Sequence, residues 1–514
     1  MASPSEKLAA SLEVLKKIQE NRITAIKSAE LGETHRVRLL RNGFIKEVVK
    51  GWYIATPPDE QQGDSTSWYA SYWQFCAQYL ADRYGEGYYI SPEQALQIHS
   101  GSWTVPQQLI VRTEKGTNHI TPLPYKTSLF NWGVPLPKKA VIVSIEGIRM
   151  MTMPSALVYS SPAVFKNDTD DVRLCLSMIS DSSEILAILL DGGHTTIAGR
   201  LVGAFRNIGN NKIADEIIKT MKSADYNVKE TDPFETRAPI IFSAKEKSPY
   251  VNRIKLMWNE MRDVVIKNFP KAPGLPDNHE EYMKQVEEIY VTDAYNSLSI
   301  ERYQVTPQLI ESVRTGAWDS ENNEEDKKQK NAMAARGYWQ ATQKVRESIL
   351  KILNGKNAGI VTDADHGDWY RELFAPSVTA GILKASDLAG YRSHLVYISN
   401  SMHVPLNKDA VRDAMPALME LLENEPEASV RAVLGHFIFV YIHPYMDGNG
   451  RIGRFLMNVM LASGGYPWTV IPVTERKTYM EALEKASVEK DIEAFAKFLS
   501  YLVAEAMEGR QGVI

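Results

Sequence analysis

The 514-residue sequence has little cysteine, no long apolar run and no strong charge of one sign. Only Cys76 and Cys175 occur, far apart and outside any metal-ligand spacing, which excludes a disulfide framework and suits a reducing compartment. No apolar stretch approaches the ~18 residues a membrane helix needs. The start, Met1-Ala2-Ser3-Pro4-Ser5-Glu6-Lys7, lacks the apolar core of a secretory signal, so the expectation is a cytoplasmic protein with no membrane span. A net charge of −5 argues against a protein that coats nucleic acid, although a local basic patch is compatible with it. The remaining composition is that of ordinary globular chains, and the length allows two to four domains.

Residues 1–60 read as a winged helix-turn-helix. Leu8, Leu12, Val14, Leu15 and Ile18 give residues 6–19 a helical face, and a second helix over Thr34–Arg41 stops at Asn42-Gly43. Phe44–Ile54 then reads as two short strands around a turn. Arg36, Arg38, Arg41, Lys46 and Lys50 gather on the second helix and the hairpin. They form either a phosphate-contacting surface, with DNA as partner, or a solvated basic face on a regulatory module.

Residues 61–235 read as an α/β region followed by a helical one. Tyr88–Ile90 and Gln108–Val111 are strand-like, Ser91-Pro92 opens a helix, and residues 170–225 carry helical spacing at Leu174, Met178, Ile185, Leu186 and Leu189. With the winged helix, the runs Arg41-Asn42-Gly43-Phe44, Lys50-Gly51-Trp52-Tyr53 and Ser91–Leu96 resemble antitoxins of type IV toxin–antitoxin systems. That resemblance implies an α/β regulatory module and transfers no catalytic residue. Residues 230–248 read as a linker.

From Val251 to Leu502 the periodicity is helical, with two interruptions. One is the charged stretch Ser320–Lys330, expected as a loop or frayed helix start. The other, Gly390–Pro405, contains strand-like Leu395–Ile398 and turn-like Ser399-Asn400-Ser401, and is expected to form a short β-hairpin.

The chemistry concentrates in His443-Pro444-Tyr445-Met446-Asp447-Gly448-Asn449-Gly450-Arg451-Ile452-Gly453-Arg454. This run lies between two apolar helical segments, so its polar residues sit on a tight loop at a helix N-terminus, a natural anion site. Gly448 and Gly450 allow close backbone approach to a ligand. Arg451 and Arg454, three apart, share a helix face and suit polyphosphate oxygens. Asp447 supplies one carboxylate, enough for Mg²⁺ when phosphates and water complete its shell. His443, with an ordinary pKa of about 6.5, can accept a hydroxyl proton. A calcium loop does not fit, because Ile452 and Asn458 stand where glycine and glutamate are required. His443 and Asp447 could form a metal pair, but no further His or Cys cluster lies near in sequence to close a zinc site.

The stretch resembles the signature of the Fic family, His-Pro-Phe-x-(Asp/Glu)-Gly-Asn-Gly-Arg-x-x-Arg, with Tyr445 in place of Phe. The likeness spans residues 251–505 and includes His436, Tyr391-Arg392 and Gly465-Tyr466-Pro467. It implies a mainly α Fic domain with a β-hairpin flap, and a nucleotidyltransferase that moves AMP from ATP to a Ser, Thr or Tyr hydroxyl of a target protein or of itself. By resemblance His443 is the base and Asp447 holds Mg²⁺. Gly448, Asn449, Gly450 and Arg451 cradle phosphates, Arg454 takes the γ-phosphate, and Tyr479 lies at the adenine. The flap with Val396, Tyr397, Ile398 and His403 would align the target.

Ser297-Leu298-Ser299-Ile300-Glu301 resembles the family's inhibitory motif, (Ser/Thr)-x-x-x-Glu-(Gly/Asn). It implies that Glu301 pairs with Arg454 and holds the enzyme off. Arg302 stands where the family has Gly or Asn, which leaves the end of this helix open, and the resemblance also leaves AMP removal open. The competing reading is a nucleotide-sensing DNA-binding regulator or antitoxin-like protein. A homodimer is compatible with either.

Overall fold

The structure, a computed structural model, describes residues 3–60, 63–238, 248–316 and 326–511. It divides into two compact units, Met1–Arg253 with Tyr397–Val404, and Ile254–Val396 with Pro405–Ile514. Among the described residues no helix is long and apolar enough to cross a membrane.

The first unit opens with α1 (Pro4–Glu20), β1 (Ile26–Lys27), α2 (Ser28–Leu31), α3 (Glu33–Arg41), β2 (Ile45–Val49) and β3 (Trp52–Ala55). Ser3 and Glu6 close a reciprocal capping box at α1. Asn42 caps α3, and Gly43 follows at φ +75°, the left-handed position that ends helices. The strands form an antiparallel sheet in the order β1-β3-β2. Leu15, Ile18, Ile26, Leu31, Leu39, Ile45 and Tyr53 make a small core beneath it.

The basic residues of this segment are partly engaged. Arg38 donates to the Lys7 carbonyl and the Ser11 hydroxyl, and Lys46 donates to the Tyr125 hydroxyl at 2.8 Å. Arg41 and Lys50 are exposed, and the outer face of α3 presents Val37 and Leu40 to solvent.

The rest of the unit is organised on α4 (Thr66–Tyr84), whose buried Trp68, Tyr72, Phe75 and Tyr79 recur every three or four residues. The α/β part follows: β4 (Tyr89–Ile90), α5 (Pro92–His99), β5 (Gln108–Thr113), β6 (His119–Pro122) and β7 (Ser128–Gly133). The sheet order is β4-β5-β7-β6, with β5 and β7 parallel. Ser91 caps α5 from the Gln94 amide, and Pro92 occupies its first turn. Helices from Met153 to Ser223 complete this core, including Thr169–Met178 and Thr195–Asn207. The expected linker is described only in part: residues 230–238 carry no helix or strand, and residues 239–247 lie outside the described residues.

The second unit is helical. Helix Tyr290–Ile300 precedes Asp326–Leu353 and Ala358–Thr379, and the pair Ala428–Ile442 and Asn449–Ala462 is buried along nearly its whole length. Of the charged stretch, Ser320–Glu325 lies outside the described residues, and the helix begins at Asp326.

The expected hairpin at Gly390–Pro405 is not formed, because these residues contain no strand. The turn at its tip is present, with Asn400 at φ +57° and the Ser401 amide donating to the Ile398 carbonyl at 3.2 Å. The backbone groups beyond the turn go elsewhere: Val105 donates to the Met402 carbonyl at 2.9 Å, and the Asn400 amide donates to Thr66 Oγ1 at 3.1 Å. A lone two-stranded ladder is marginal, so such partners readily replace it.

Candidate active site

The site begins where helix Ala428–Ile442 is stopped. Proline at 444 disfavours helical backbone at the residue before it, and His443 takes the left-handed conformation, φ +56° and ψ +60°. This turns the imidazole out of the helix while its amide still donates to the Phe439 carbonyl at 3.0 Å. His443 Nδ1 lies 3.1 Å from the Val440 carbonyl, which can only accept, so Nδ1 carries the proton and Nε2 the lone pair. Burial of the ring pulls its pKa down to about 4, and the nearby Arg392 guanidinium adds to the shift. The imidazole is therefore a neutral proton acceptor at pH 7.

Arg392, 1 % exposed, supports this geometry. It donates to the His443 carbonyl at 2.7 Å, to the His394 carbonyl at 3.0 Å and to the Leu406 carbonyl. The Arg392 amide also donates to Pro444 at 2.9 Å.

Between the two helices Asn449 closes the loop on itself. Its Oδ1 accepts the Tyr445 amide and its Nδ2 donates to the Tyr445 carbonyl, both at 2.8 Å. The side chain of Asn449 thus shapes the loop, and its backbone amide belongs to the first turn of the next helix, where donors lack intrahelical partners. Tyr445 is buried, stacked on Tyr370 with centroids 3.9 Å apart. Gly448 has φ +80°, and a Cβ there would press on the Phe374 ring. At Gly450 a Cβ would overlap the Glu301 carboxylate and reach 3.2 Å from Arg454 Nη1. Glycine at 448 thus lets the Phe374 ring pack against the loop, and glycine at 450 admits the Glu301 carboxylate beside Arg454.

Two guanidinium groups line the following helix. Arg451, 1 % exposed, lies between the Tyr303 and Phe374 rings at 5.1 and 5.0 Å and reaches Asp447 Oδ2 at 3.4 Å. Arg454 Nε donates to Ser297 Oγ at 2.7 Å, and Nη2 donates to the Ser297 carbonyl at 2.9 Å and to Glu301 Oε1 at 2.8 Å. Burial is the largest influence on its pKa and lowers it, but the Glu301 charge and hydrogen bond together with Tyr479 and Tyr338 outweigh burial and hold the pKa above the ordinary arginine value. Arg454 Nη1 is buried with no hydrogen-bond partner, as is Arg451 Nε. An unpaired buried guanidinium nitrogen is costly, and an anionic oxygen would satisfy it. This pattern fits a polyphosphate.

The helix that brings Ser297 and Glu301 to Arg454 ends in a Schellman motif. Arg302 takes φ +66°, its amide donates to the Ser299 carbonyl at 2.9 Å, and the Tyr303 amide donates to the Leu298 carbonyl at 3.1 Å. Arginine thus adopts the conformation usually given to glycine, and the helix keeps the same kind of end. Arg476 Nε donates to the Ile300 carbonyl at 2.7 Å and satisfies another terminal acceptor.

The residues His443, Asp447, Gly448, Asn449, Gly450, Arg451, Arg454, Ser297 and Glu301 are therefore brought together. Tyr479, expected at the adenine, is close enough to Arg454 and Glu301 to feel both charges. It is 1 % exposed, with its hydroxyl 2.8 Å from His436 Nε2 and its ring packed against Phe495 and Phe498. Val396 belongs to the second unit, whereas Tyr397, Ile398 and His403 belong to the first. Asp447 is the carboxylate of the loop and lies beside Arg451, and no group of three His, Cys, Asp or Glu capable of holding a metal occurs among the described residues. Mg²⁺ would fit only with ligands brought by a nucleotide.

A neutral histidine, a helix N-terminus with glycines beside it and two buried arginines are chemically suited to phosphoryl or nucleotidyl transfer. Residues 367–461 match the model of the Fic/DOC family. The chain is 36 % identical over 114 residues to the protein adenylyltransferase Fic of Drosophila willistoni, 21 % of this chain and 22 % of that protein. With the protein of the same name from Nematostella vectensis it shares 27 % identity over 258 residues, 48 % of this chain and 55 % of that one. The chain thus spans from about a fifth to about half the length of these relatives. Among solved structures, Fic-1 (residues 134–508) from C. elegans aligns over 70 % of this chain and 90 % of its own at 15 % identity and TM-score 0.38. A Fic domain-containing signaling protein from Bacteroides thetaiotaomicron aligns over 50 % and 94 %, at 17 % identity and TM-score 0.37. At these values neither structure lends a residue role.

Proposed function

We propose that the chain is a protein adenylyltransferase that moves AMP from ATP to a Ser, Thr or Tyr hydroxyl of a protein, itself included, and that Glu301 restrains it. The observation that carries this is the unpartnered Arg454 Nη1 facing the space beside Gly450, on the same loop as the neutral His443. In this reading His443 Nε2 takes the acceptor's hydroxyl proton. The hydroxyl oxygen bonds to the α-phosphorus as the bond to the pyrophosphate oxygen breaks. The first-turn amides, Arg451 and Arg454 bind and orient the phosphate chain, where positioning and charge neutralisation dominate the rate. Mg²⁺ arriving with the nucleotide would neutralise further phosphate charge, with Asp447 the residue to hold it.

Glu301 occupies Arg454 Nη2, the guanidinium edge a γ-phosphate would need, and is therefore assigned as a brake. In the N-terminal segment, the order helix, strand, helix, helix, strand, strand with its three-stranded sheet supports a winged-helix regulatory module. Two of its five basic residues are tied up internally and α3 shows an apolar outer face, so a protein-contact role is favoured over DNA. The function is tested by incubating the protein with labelled ATP and Mg²⁺. His443→Ala should abolish AMP transfer while nucleotide binding, followed by calorimetry, persists; continued transfer by that variant would remove His443 as the base.

A further inference from the structure

The segment that carries Glu301 touches the catalytic loop a second time. Just after helix Tyr290–Ile300, the Tyr303 ring lies 5.1 Å from the Arg451 guanidinium carbon. Phe374 of helix Ala358–Thr379 lies 5.0 Å from the same carbon. All three residues belong to the C-terminal unit. Arg451 is 1 % exposed, and its Nε is buried without a hydrogen-bond partner.

The backbone holds Tyr303 in place from both sides. Its own amide closes the Schellman turn on the Leu298 carbonyl at 3.1 Å. The next amide, of Gln304, donates to Asn331 Oδ1 at 3.3 Å, on helix Asp326–Leu353, and Val305 after it is buried. Burial raises the pKa of the Tyr303 hydroxyl, and the neighbouring Arg451 charge opposes the rise, so the phenol stays neutral at pH 7. An aromatic face attracts a guanidinium without consuming its N–H groups, which remain available to oxygens at its edges. Glu301 does the opposite to Arg454, where its carboxylate accepts from Nη2.

We propose that Tyr303 is a positioning residue for the nucleotide: with Phe374 it clamps the Arg451 guanidinium so that its N–H edges meet the phosphate chain in one orientation. The inference rests on the adenylyltransferase reading and adds a determinant to it. A guanidinium held in place before the nucleotide arrives loses little rotamer freedom on binding it, so the clamp acts mainly on affinity. The segment that bears the brake therefore also builds the site it restrains. Changes at Glu301 and at Tyr303, two residues apart, act in opposite directions.

The experiment uses full-length Glu301→Gly protein as the parent, with ATP and Mg²⁺. Calorimetry gives the Kd for ATP, and initial rates of AMP incorporation into the chain or added peptides give KM and kcat. Tyr303→Leu keeps apolar bulk but removes the aromatic face, and should raise the Kd and KM for ATP about three- to tenfold with kcat changed by less than about twofold. Tyr303→Met, a flexible filler of the same space, should weaken ATP to the same extent. Tyr303→Phe keeps the ring and should stay within about twofold of the parent. An ATP Kd that is unchanged or lower in both the Leu and Met variants, or equal weakening in the Phe variant, overturns the inference and leaves the functional reading standing. A Glu301→Gly parent that neither binds ATP nor transfers AMP overturns the functional reading itself.

Discussion

Replacing Glu301 tests the restraint on the site quantitatively. Glu301 Oε1 accepts from Arg454 Nη2 at 2.8 Å, with the arginine side chain 3 % exposed and the glutamate 29 % exposed. A hydrogen bond between charged groups in such a setting contributes about 1.5–3 kcal/mol, so freeing Arg454 should raise AMP transfer by about 10- to 150-fold. Glu301→Gln keeps an oxygen acceptor without the charge and should give a smaller gain, about three- to tenfold. The same change leaves a buried guanidinium less compensated. Ser297 still accepts from Nε and Nη2, so Glu301→Gly should lose only about 1–2 kcal/mol of folding stability, less than removal of one partner from a fully buried pair. Nucleotide with Mg²⁺ should restore that loss, because its phosphate oxygens replace the carboxylate. Initial rates of AMP incorporation and thermal midpoints with and without ATP read both effects. No gain in rate for Glu301→Gly would refute the brake. A rate gain without any nucleotide-dependent recovery of stability would refute competition for Arg454 as its cause.

Three further outcomes follow from the same geometry. With the His443 pKa lowered to about 4, transfer by Glu301→Gly should stay level between about pH 5.5 and 8 and fall as pH drops through about 4, whereas a half-loss near pH 6.5 would show an unshifted base. The sign for stability is separate: the unfolded ring binds a proton near 6.5 and the folded ring only near 4, so the stability of the neutral ring is full above 6.5 and declines as pH falls towards 4, readable from urea midpoints. Arg302→Gly relieves a left-handed backbone at φ +66° and should stabilise the C-terminal unit by about 0.5–1 kcal/mol, and an equal or lower midpoint in chemical denaturation contradicts this.

Much of the site was legible because it is local. His443 to Arg454 is a continuous run in which Pro444 and the glycines announce the loop, and Ser297 and Glu301, four residues apart, face the same arginine. The helix end at Arg302 was left open by residue type alone, since nothing local shows that the backbone adopts the glycine-like angle in spite of the side chain. Arg392 was noted only as part of a resemblance, because its role is to join carbonyls far apart in sequence, which no local pattern encodes. The flap was expected as a hairpin from strand-like Leu395–Ile398 and the turn-like residues after it, but its backbone partners include residues 66 and 105 and so lie beyond any local pattern. Helix α4 was missed although Trp68, Tyr72, Phe75 and Tyr79 carry a clear helical period. The aromatic residues have strand propensity, and burial on one face overrode it.

The most direct test of the account is the intact mass of purified Glu301→Gly protein after incubation with ATP and Mg²⁺, beside the Glu301→Gly/His443→Ala double variant. The account predicts a gain of one or more adenylyl groups in the first and none in the second. Equal masses before and after incubation in both, with the same result for added peptides, would contradict it.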